Sequence, residues 1–174
     1  MTNQTYPPIQ IVNEKDEPAG EAAMYDAYDQ GLIYRIVYVV VEDEAGRILL
    51  QKRSQKVATS PNCWDISVGG HVDAGEPYEA AAERELREEL GFTEPVKLQT
   101  LSKFYEESEV NNWLLKRFNT VFKVVLKADA KFNPHPDEVS EVKWLDVDSI
   151  KRLIAEHPDQ VASGLVTCIQ QYFT

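Results

Sequence analysis

At 174 residues the chain suits one domain with a sizeable core. Its 29 acidic against 18 basic residues, a net charge of −11, argue against a general surface for nucleic acid or anionic lipid, both of which require an excess of Lys and Arg. Apolar residues never run to the roughly 20 that a membrane helix needs, and the opening MTNQTYPP lacks the charged and apolar regions of a secretion signal, so a cytoplasmic protein is expected.

Residues 9–20 read as two short strands about a polar turn, the second ended by Glu17-Pro18-Ala19-Gly20. A short helical piece over 21–30 is closed by Gly31. Residues 32–42, β-branched and aromatic in near-continuous apolar order, predict a buried central strand. The turn Asp43-Glu44-Ala45-Gly46 leads into RILLQKR over 47–53, a hairpin partner for that strand. After a loop containing Pro61, residues 64–72 form a short strand interrupted by Gly69-Gly70, where missing side chains let the backbone approach a ligand or a neighbouring strand. Further on, 96–105 and 113–127 read as strands joined by an acidic loop, EESEVNN, and 142–145 as a last short strand. Helices follow over 148–157 and from about Asp159, the latter carrying Val161, Leu165, Ile169 and Phe173 on one face. Strands flanking a helix, with helices at the end, predict a mixed sheet covered on both faces. Cys63 and Cys168 show no metal spacing, fit a reducing compartment and read as small, half-buried residues.

The chemistry concentrates in residues 70–92, GHVDAGEPYEAAAERELREELGF. Glu76-Pro77 reads as a helix start, with proline at the first helical position and the acid facing the positive end of the dipole. Gly91 is the stop. Tyr78, Ala82, Leu86 and Leu90 recur every fourth residue and make an apolar stripe that packs on a core. At about 100° per residue, Glu85, Glu88 and Glu89 project from an adjacent arc, with Arg84 just past Glu88. Like charges at this spacing repel, so a cation should compensate them. Arg84 and Arg87 do part of this, but a hard divalent cation suits converging carboxylates better, magnesium taking one or two of them plus water and phosphate oxygens.

The spacing is G-x5-E-x7-R-E-U-x-E-E-x-G-U, with U bulky and apolar, and it is met at Gly70, Glu76, Arg84, Glu85, Leu86, Glu88, Glu89, Gly91 and Phe92. Chance would satisfy its seven single-residue positions about once in 10^8 starting points. The stretch resembles the Nudix box in full, and the resemblance spans about 32–154. It implies an N-terminal hairpin extension over 1–31 and a Nudix domain over 32–174, with the Nudix α/β/α sandwich about a central mixed sheet.

The resemblance also implies hydrolysis of a diphosphate linked to another moiety, with magnesium or manganese. Glu85, Glu88, Glu89 and the Gly70 carbonyl would hold metal, Arg84 would orient Glu88 by a charged hydrogen bond, and Glu76 would pair back onto the box and brace its loop. Lys52 and Arg53, at a strand end, would reach phosphate oxygens, as basic residues at that place do in similar proteins. The group that takes the proton from water is a box glutamate in some members and a loop glutamate in others. Among Asp137, Glu138 and Glu141 of FNPHPDEVSEVKW, Glu138 is expected, with Glu106, Glu107 and Glu109 as further candidates. The expected partner is a small-molecule diphosphate, with no nucleic acid and no membrane; the oligomeric state is open, a homodimer included.

A second resemblance, through LLQKRS…W…S-V-x-G-H, is to the isopentenyl diphosphate isomerases, which share the fold. There a histidine at the place of His71 binds metal and a cysteine two residues earlier catalyses proton transfer. This chain has Gly69 at the cysteine position, Tyr28 and Tyr34 at those of two upstream metal histidines, and Arg117 near that of the catalytic glutamate. No acid and base for protonating an alkene are visible, so hydrolysis is preferred, with isomerisation or a non-catalytic Nudix binding module as alternatives. His71 then reads as a loop-packing or hydrogen-bonding residue. Trp64, Phe104, Tyr105 and Trp113 read as core aromatics that could stack on a base.

Overall fold

The computed structural model describes residues 6–110 and 112–172. Among them nine strands form one mixed sheet. They are β1 (Ile9–Val12), β2 (Pro18–Ala22), β3 (Ile33–Asp43), β4 (Ile48–Arg53), β5 (Trp64–Asp65), β6 (Val68–His71), β7 (Gln99–Val110), β8 (Trp113–Leu126) and β9 (Val139–Leu145), and the helices are α1 (Met24–Asp29), α2 (Tyr78–Leu90), α3 (Val147–Glu156) and α4 (Ser163–Tyr172). No helix of the described residues is long and apolar enough to cross a membrane.

The central strand is β3, antiparallel to β1 and β6 and parallel to β8 from Ile33↔Lys116 to Asp43↔Leu126. Its unbroken apolar run follows from burial on both faces. Val37, Val39 and Val41 enter a core with Ala81, Ala82, Leu86 and Leu90 of α2. Ile36, Tyr38 and Val40 enter a second core with Ala27 of α1, Ile150 of α3 and Leu165, Cys168 and Ile169 of α4. This is the expected α/β/α sandwich.

Two connections differ from the sequence reading. The segment 47–53 is a hairpin partner of β3 only at Glu42↔Ile48. Beyond that point β4 pairs with β9, from Ile48↔Leu145 to Arg53↔Val139, and with β5, because β6 takes the edge of β3 from Ile36 to Val39. The buried Ser67 hydroxyl spans the split, accepting from Val41 N–H (2.8 Å) and donating to the Leu49 carbonyl (2.6 Å). The acidic loop is likewise strand: β7 runs to Val110, with Glu106 opposite Arg117 and Glu107 opposite Lys116. Cross-strand pairing of opposite charges offsets the poor strand preference of glutamate.

Element ends shift by a few residues. Pro18 opens β2 rather than helping to end it, residues 96–98 are irregular, and β9 starts at Val139. Asp146 caps α3, its carboxylate accepting from Ser149 N–H (2.8 Å), and Pro77 is the extended residue before α2 rather than its first turn. A short 3-10 turn, Pro158–Gln160, precedes α4, which buries Leu165 and Ile169; Phe173 lies outside the described residues. Of the cysteines, Cys168 is fully buried and Cys63 half-buried.

Candidate active site

The site is built where α2 packs on Gly69 and Gly70 of β6; the strand runs unbroken through both glycines, and the interruption expected there falls instead at residues 66–67, between β5 and β6. A β-carbon on Gly70 would meet Glu85 Oε1 at 2.0 Å, so only glycine leaves room for the carboxylate. Glu85 is 9% exposed and Glu89 8%, while the Glu88 side chain is 56% exposed at the rim. The three box glutamates are thus chemically unequal. Glu89 Oε2 accepts from Gln51 Nε2 (2.9 Å) and from Gly69 N–H (3.1 Å), which brackets it between β4 and β6.

Arg84 ties the lead-in loop to the carboxylates. It donates to both oxygens of Glu76 (3.0 to 3.3 Å), to Glu85 Oε1 (2.7 Å), to Glu88 Oε2 (3.0 Å) and to the His71 carbonyl (2.8 Å). Glu76 Oε2 also accepts from Asp73 N–H (3.2 Å), which makes the expected brace. Burial works against the Arg84 charge, but Glu76, Glu85 and Asp73 more than offset it and raise its pKa.

Arg84 is shared among several acids, and burial outweighs it at both buried carboxylates. Burial lifts Glu85 to a pKa of about 7, Arg84 opposing and Glu88 and Glu138 adding to the rise. Burial also lifts Glu89, with Glu85 next and Glu138 adding, against the hydrogen bonds from Gly69 and Gln51. Glu138 is the loop acid whose charge reaches both. Asp137 instead pairs with Lys56 at the surface, and Glu141 is exposed in β9 opposite Lys52. The Glu138 loop is seated on the end of α2: Asn133 N–H donates to the Leu90 carbonyl (2.9 Å), His135 N–H to that of Glu89 (3.0 Å), and Ser54 N–H to that of Glu138 (2.8 Å). Gly91 makes this possible, with φ +63° and the Asn133 carbonyl 2.3 Å from where its β-carbon would be.

The remaining candidates sit further out. Arg53 donates to Asp65 (3.2 Å) and to the carbonyl (3.0 Å) and hydroxyl (3.2 Å) of Thr59, and Lys52 Nζ lies 5.7 Å above the Trp64 ring. Glu106 pairs with Arg117 (3.0 Å) and Glu107 accepts from Tyr105 (2.6 Å); Glu109 lies near the end of β7, opposite Leu114. The His71 ring stacks on Tyr34 and shares a 2.7 Å hydrogen bond with the Tyr28 hydroxyl. Burial, then Arg117 and Arg84, lowers its pKa to about 4, so the imidazole is neutral. A β-carbon on Gly69 would meet the Tyr38 ring at 2.9 Å, so a cysteine would not fit there without displacing Tyr38.

Sequence reasoning missed Gln51 and the clamp formed by the N-terminal hairpin. Gln10 N–H donates to the Val72 carbonyl (2.8 Å), Ala74 N–H to that of Pro8 (2.9 Å), and Gly75 N–H to Gln10 Oε1 (2.8 Å). Asp16, which also pairs with Arg35 (2.6 Å) and Lys103, accepts from the Tyr78 hydroxyl (3.0 Å). One signal was available: glutamine in the apolar run of β4 is a buried polar group in need of a partner.

Among the described residues no three His, Cys, Asp or Glu side chains form a ready-made metal cage; Arg84 stands between Glu85 and Glu88 and takes an oxygen of each. The donor chemistry nevertheless fits a hard divalent cation, since carboxylate oxygens are its preferred ligands and the donors that Glu89 meets, Gln51 and Gly69, are neutral.

The NUDIX domain family model matches residues 33–163. The chain is 35% identical over 153 residues to isopentenyl-diphosphate Delta-isomerase 2 of Photorhabdus laumondii, covering 86% of this chain and 82% of that one. It is 34% identical over 137 residues to an uncharacterized Nudix hydrolase of Pseudomonas aeruginosa, covering 79% and 77%. Among solved structures, a Deinococcus radiodurans protein superposes with a TM-score of 0.77 at 26% identity, over 96% of this chain and 99% of that one. With the full box in place and these relatives at hand, the chain belongs to the Nudix hydrolase family.

Proposed function

We propose that the protein hydrolyses, with Mg2+, the phosphoanhydride bond of a nucleoside diphosphate linked to another moiety, or of a related organic pyrophosphate. The observation that supports this is the buried Glu85 and Glu89 pair beside Gly70, with the charge of Glu138 felt by both. Glu85, Glu88, Glu89 and the Gly70 carbonyl would hold the cation, which when bound neutralises phosphate oxygens and lowers the pKa of water. Mn2+ has the same kind of ligand preference.

The chain's own residues supply the rest. Arg84 orients Glu85 and Glu88, and Glu76 holds Arg84 and the loop in register. Glu138, on a loop tied to the end of α2, takes the proton from the attacking water. Lys52 and Arg53 bind the phosphate that leaves, Arg53 exchanging its contacts with Thr59 for phosphate oxygens. Conversion of organic pyrophosphates with Mg2+, lost in Glu85→Gln and Glu89→Gln while the fold is retained, tests the reading; unchanged turnover in both variants rejects it.

The Photorhabdus relative favours a second reading, isomerisation of a prenyl diphosphate. Against it, Tyr38 fills the place a thiol at position 69 would need, and by the sequence resemblance Arg117 falls near the position of the isomerases' catalytic glutamate. Hydrogen exchange into isopentenyl diphosphate in deuterated water would restore it.

A further inference from the structure

Among the described residues β6 pairs only with β3, and the N–H of Gly69 goes to a side chain, Glu89. Across the seam, Gln51 is 1% exposed and fixed within β4, opposite Asp65 of β5 and Val142 of β9. Gln51 Nε2 reaches Glu89 at 2.9 Å and Gly69 N–H reaches it at 3.1 Å, and both end on the same oxygen, Oε2. The amide orientation is settled, because a flipped Gln51 would set oxygen against oxygen.

Two donors satisfy the lone pairs of Oε2. Oε1 accepts from none of the described residues and is not among their sealed, unpartnered atoms, so solvent reaches it. It is the oxygen left for a ligand, and the edge of α2 sets Glu85 one helical turn away, against Gly70. The two buried box acids are held differently. Arg84 takes Glu85 Oε1 and brings a positive charge. Gln51 and Gly69 are neutral donors, which orient the Glu89 carboxylate and leave its charge for a cation. An arginine in place of Gln51 would also hold the group but cancel that charge.

We infer that Gln51 is a positioning residue: with Gly69 N–H it confines Glu89 to ligation through Oε1, and so tunes the site toward Mg2+ over Ca2+. The inference rests on the proposed hydrolase for the cation itself and adds how this chain selects it. Mg2+ demands near-ideal octahedral geometry and takes one or two carboxylates with several waters. Ca2+ accepts more oxygens in a flexible arrangement and takes carboxylates through one oxygen or both. A carboxylate with one oxygen already occupied suits the smaller ion. Removing a group that orients a metal ligand by hydrogen bonding typically weakens the metal by about 10- to 100-fold.

The test uses the full chain, freed of metal with EDTA, dialysed, and titrated by calorimetry with Mg2+ or Ca2+ in the absence of substrate. Gln51→Leu weakens Mg2+ binding by about 10- to 100-fold and Ca2+ by less than about threefold, since the freed Oε2 serves Ca2+ as a further ligand atom. Gln51→Met keeps the length of the side chain without the donor; it gives the same result, and covers the case in which Gln51→Leu does not fold. Ser67→Ala is the control. The Ser67 hydroxyl joins β3 to β4 across the same seam without touching Glu89, so its loss loosens the sheet and leaves the ratio of Mg2+ to Ca2+ affinity unchanged. Equal losses for the two cations, no loss of Mg2+ binding, or a ratio that Ser67→Ala shifts as far overturns the inference. A wild type that binds neither cation overturns it together with the hydrolase reading. A Mg2+-selective loss in a protein that hydrolyses no organic pyrophosphate leaves Gln51 in its role and rejects that reading alone.

Discussion

Gly70 and Glu85 are in contact across the gap between β6 and α2, so closely that a β-carbon on the glycine would overlap the carboxylate oxygen at 2.0 Å. Gly70→Ala should therefore leave the sheet intact while pushing Glu85 off its Arg84 partner. A displacement of about 1 Å costs on the order of 10²-fold in rate. Turnover with Mg2+ should fall by that factor, with the unfolding free energy lowered by about 1–3 kcal/mol through overpacking. Activity within a factor of two of wild type would remove the significance of the contact.

Gly91 works at a distance from the chemistry. Its positive φ and the Asn133 carbonyl against it both exclude a side chain. Gly91→Ala should cost about 1–2 kcal/mol for the left-handed conformation alone, and more for the clash. Because the displaced carbonyl belongs to the loop that carries Glu138, kcat should fall further than KM rises. Denaturant melts and steady-state kinetics on the same preparation separate the two effects.

The box was legible because its spacing is local: a helix converts positions 84, 85, 88 and 89 into one edge with no help from the rest of the chain. The central strand was legible because burial on both faces leaves an unbroken apolar run. The contacts that specialise the site carry no such signature. Gln51 reaches Glu89 across 38 residues of chain and Gln10 reaches Gly75 across 65, and neither distance leaves a mark in local spacing. The acidic half of β7 was read as loop for a related reason: Glu-Glu-Ser-Glu has weak strand preference, and its partners Lys116 and Arg117 come from the following strand.

Asp16 offers a prediction about pH. Burial raises its carboxyl pKa, but Lys103, Arg35 and Tyr78 outweigh that and leave it below the ordinary value of 3.8. A depressed folded pKa contributes stability that is present above the unfolded value and lost as pH falls through the folded one. Asp16→Asn should destabilise the protein by about 2–4 kcal/mol at neutral pH. The gap between wild type and variant should stay flat from pH 7 to about 5 and close below 3.8. Urea melts across that range check it, and a gap independent of pH would show that the charge is not what binds the N-terminal hairpin to Tyr78.

Glu89→Gln separates stability from function. In EDTA wild type keeps a buried carboxylate whose hydrogen-bond donors among the described residues, Gln51 and Gly69, are neutral, and which the charges of Glu85 and Glu138 repel. Removing the charge should raise the Tm, because an uncompensated buried carboxylate destabilises the fold. Mg2+ should reverse the order: a cation that binds only the folded state stabilises by mass action, so wild type gains Tm with rising Mg2+ while Glu89→Gln gains little and loses about 10²–10³-fold in turnover. The paired melts discriminate sharply. A variant less stable than wild type in EDTA would mean that Gln51 and Gly69 hold the Glu89 charge well enough without metal, and that the carboxylate is a structural group of the sheet.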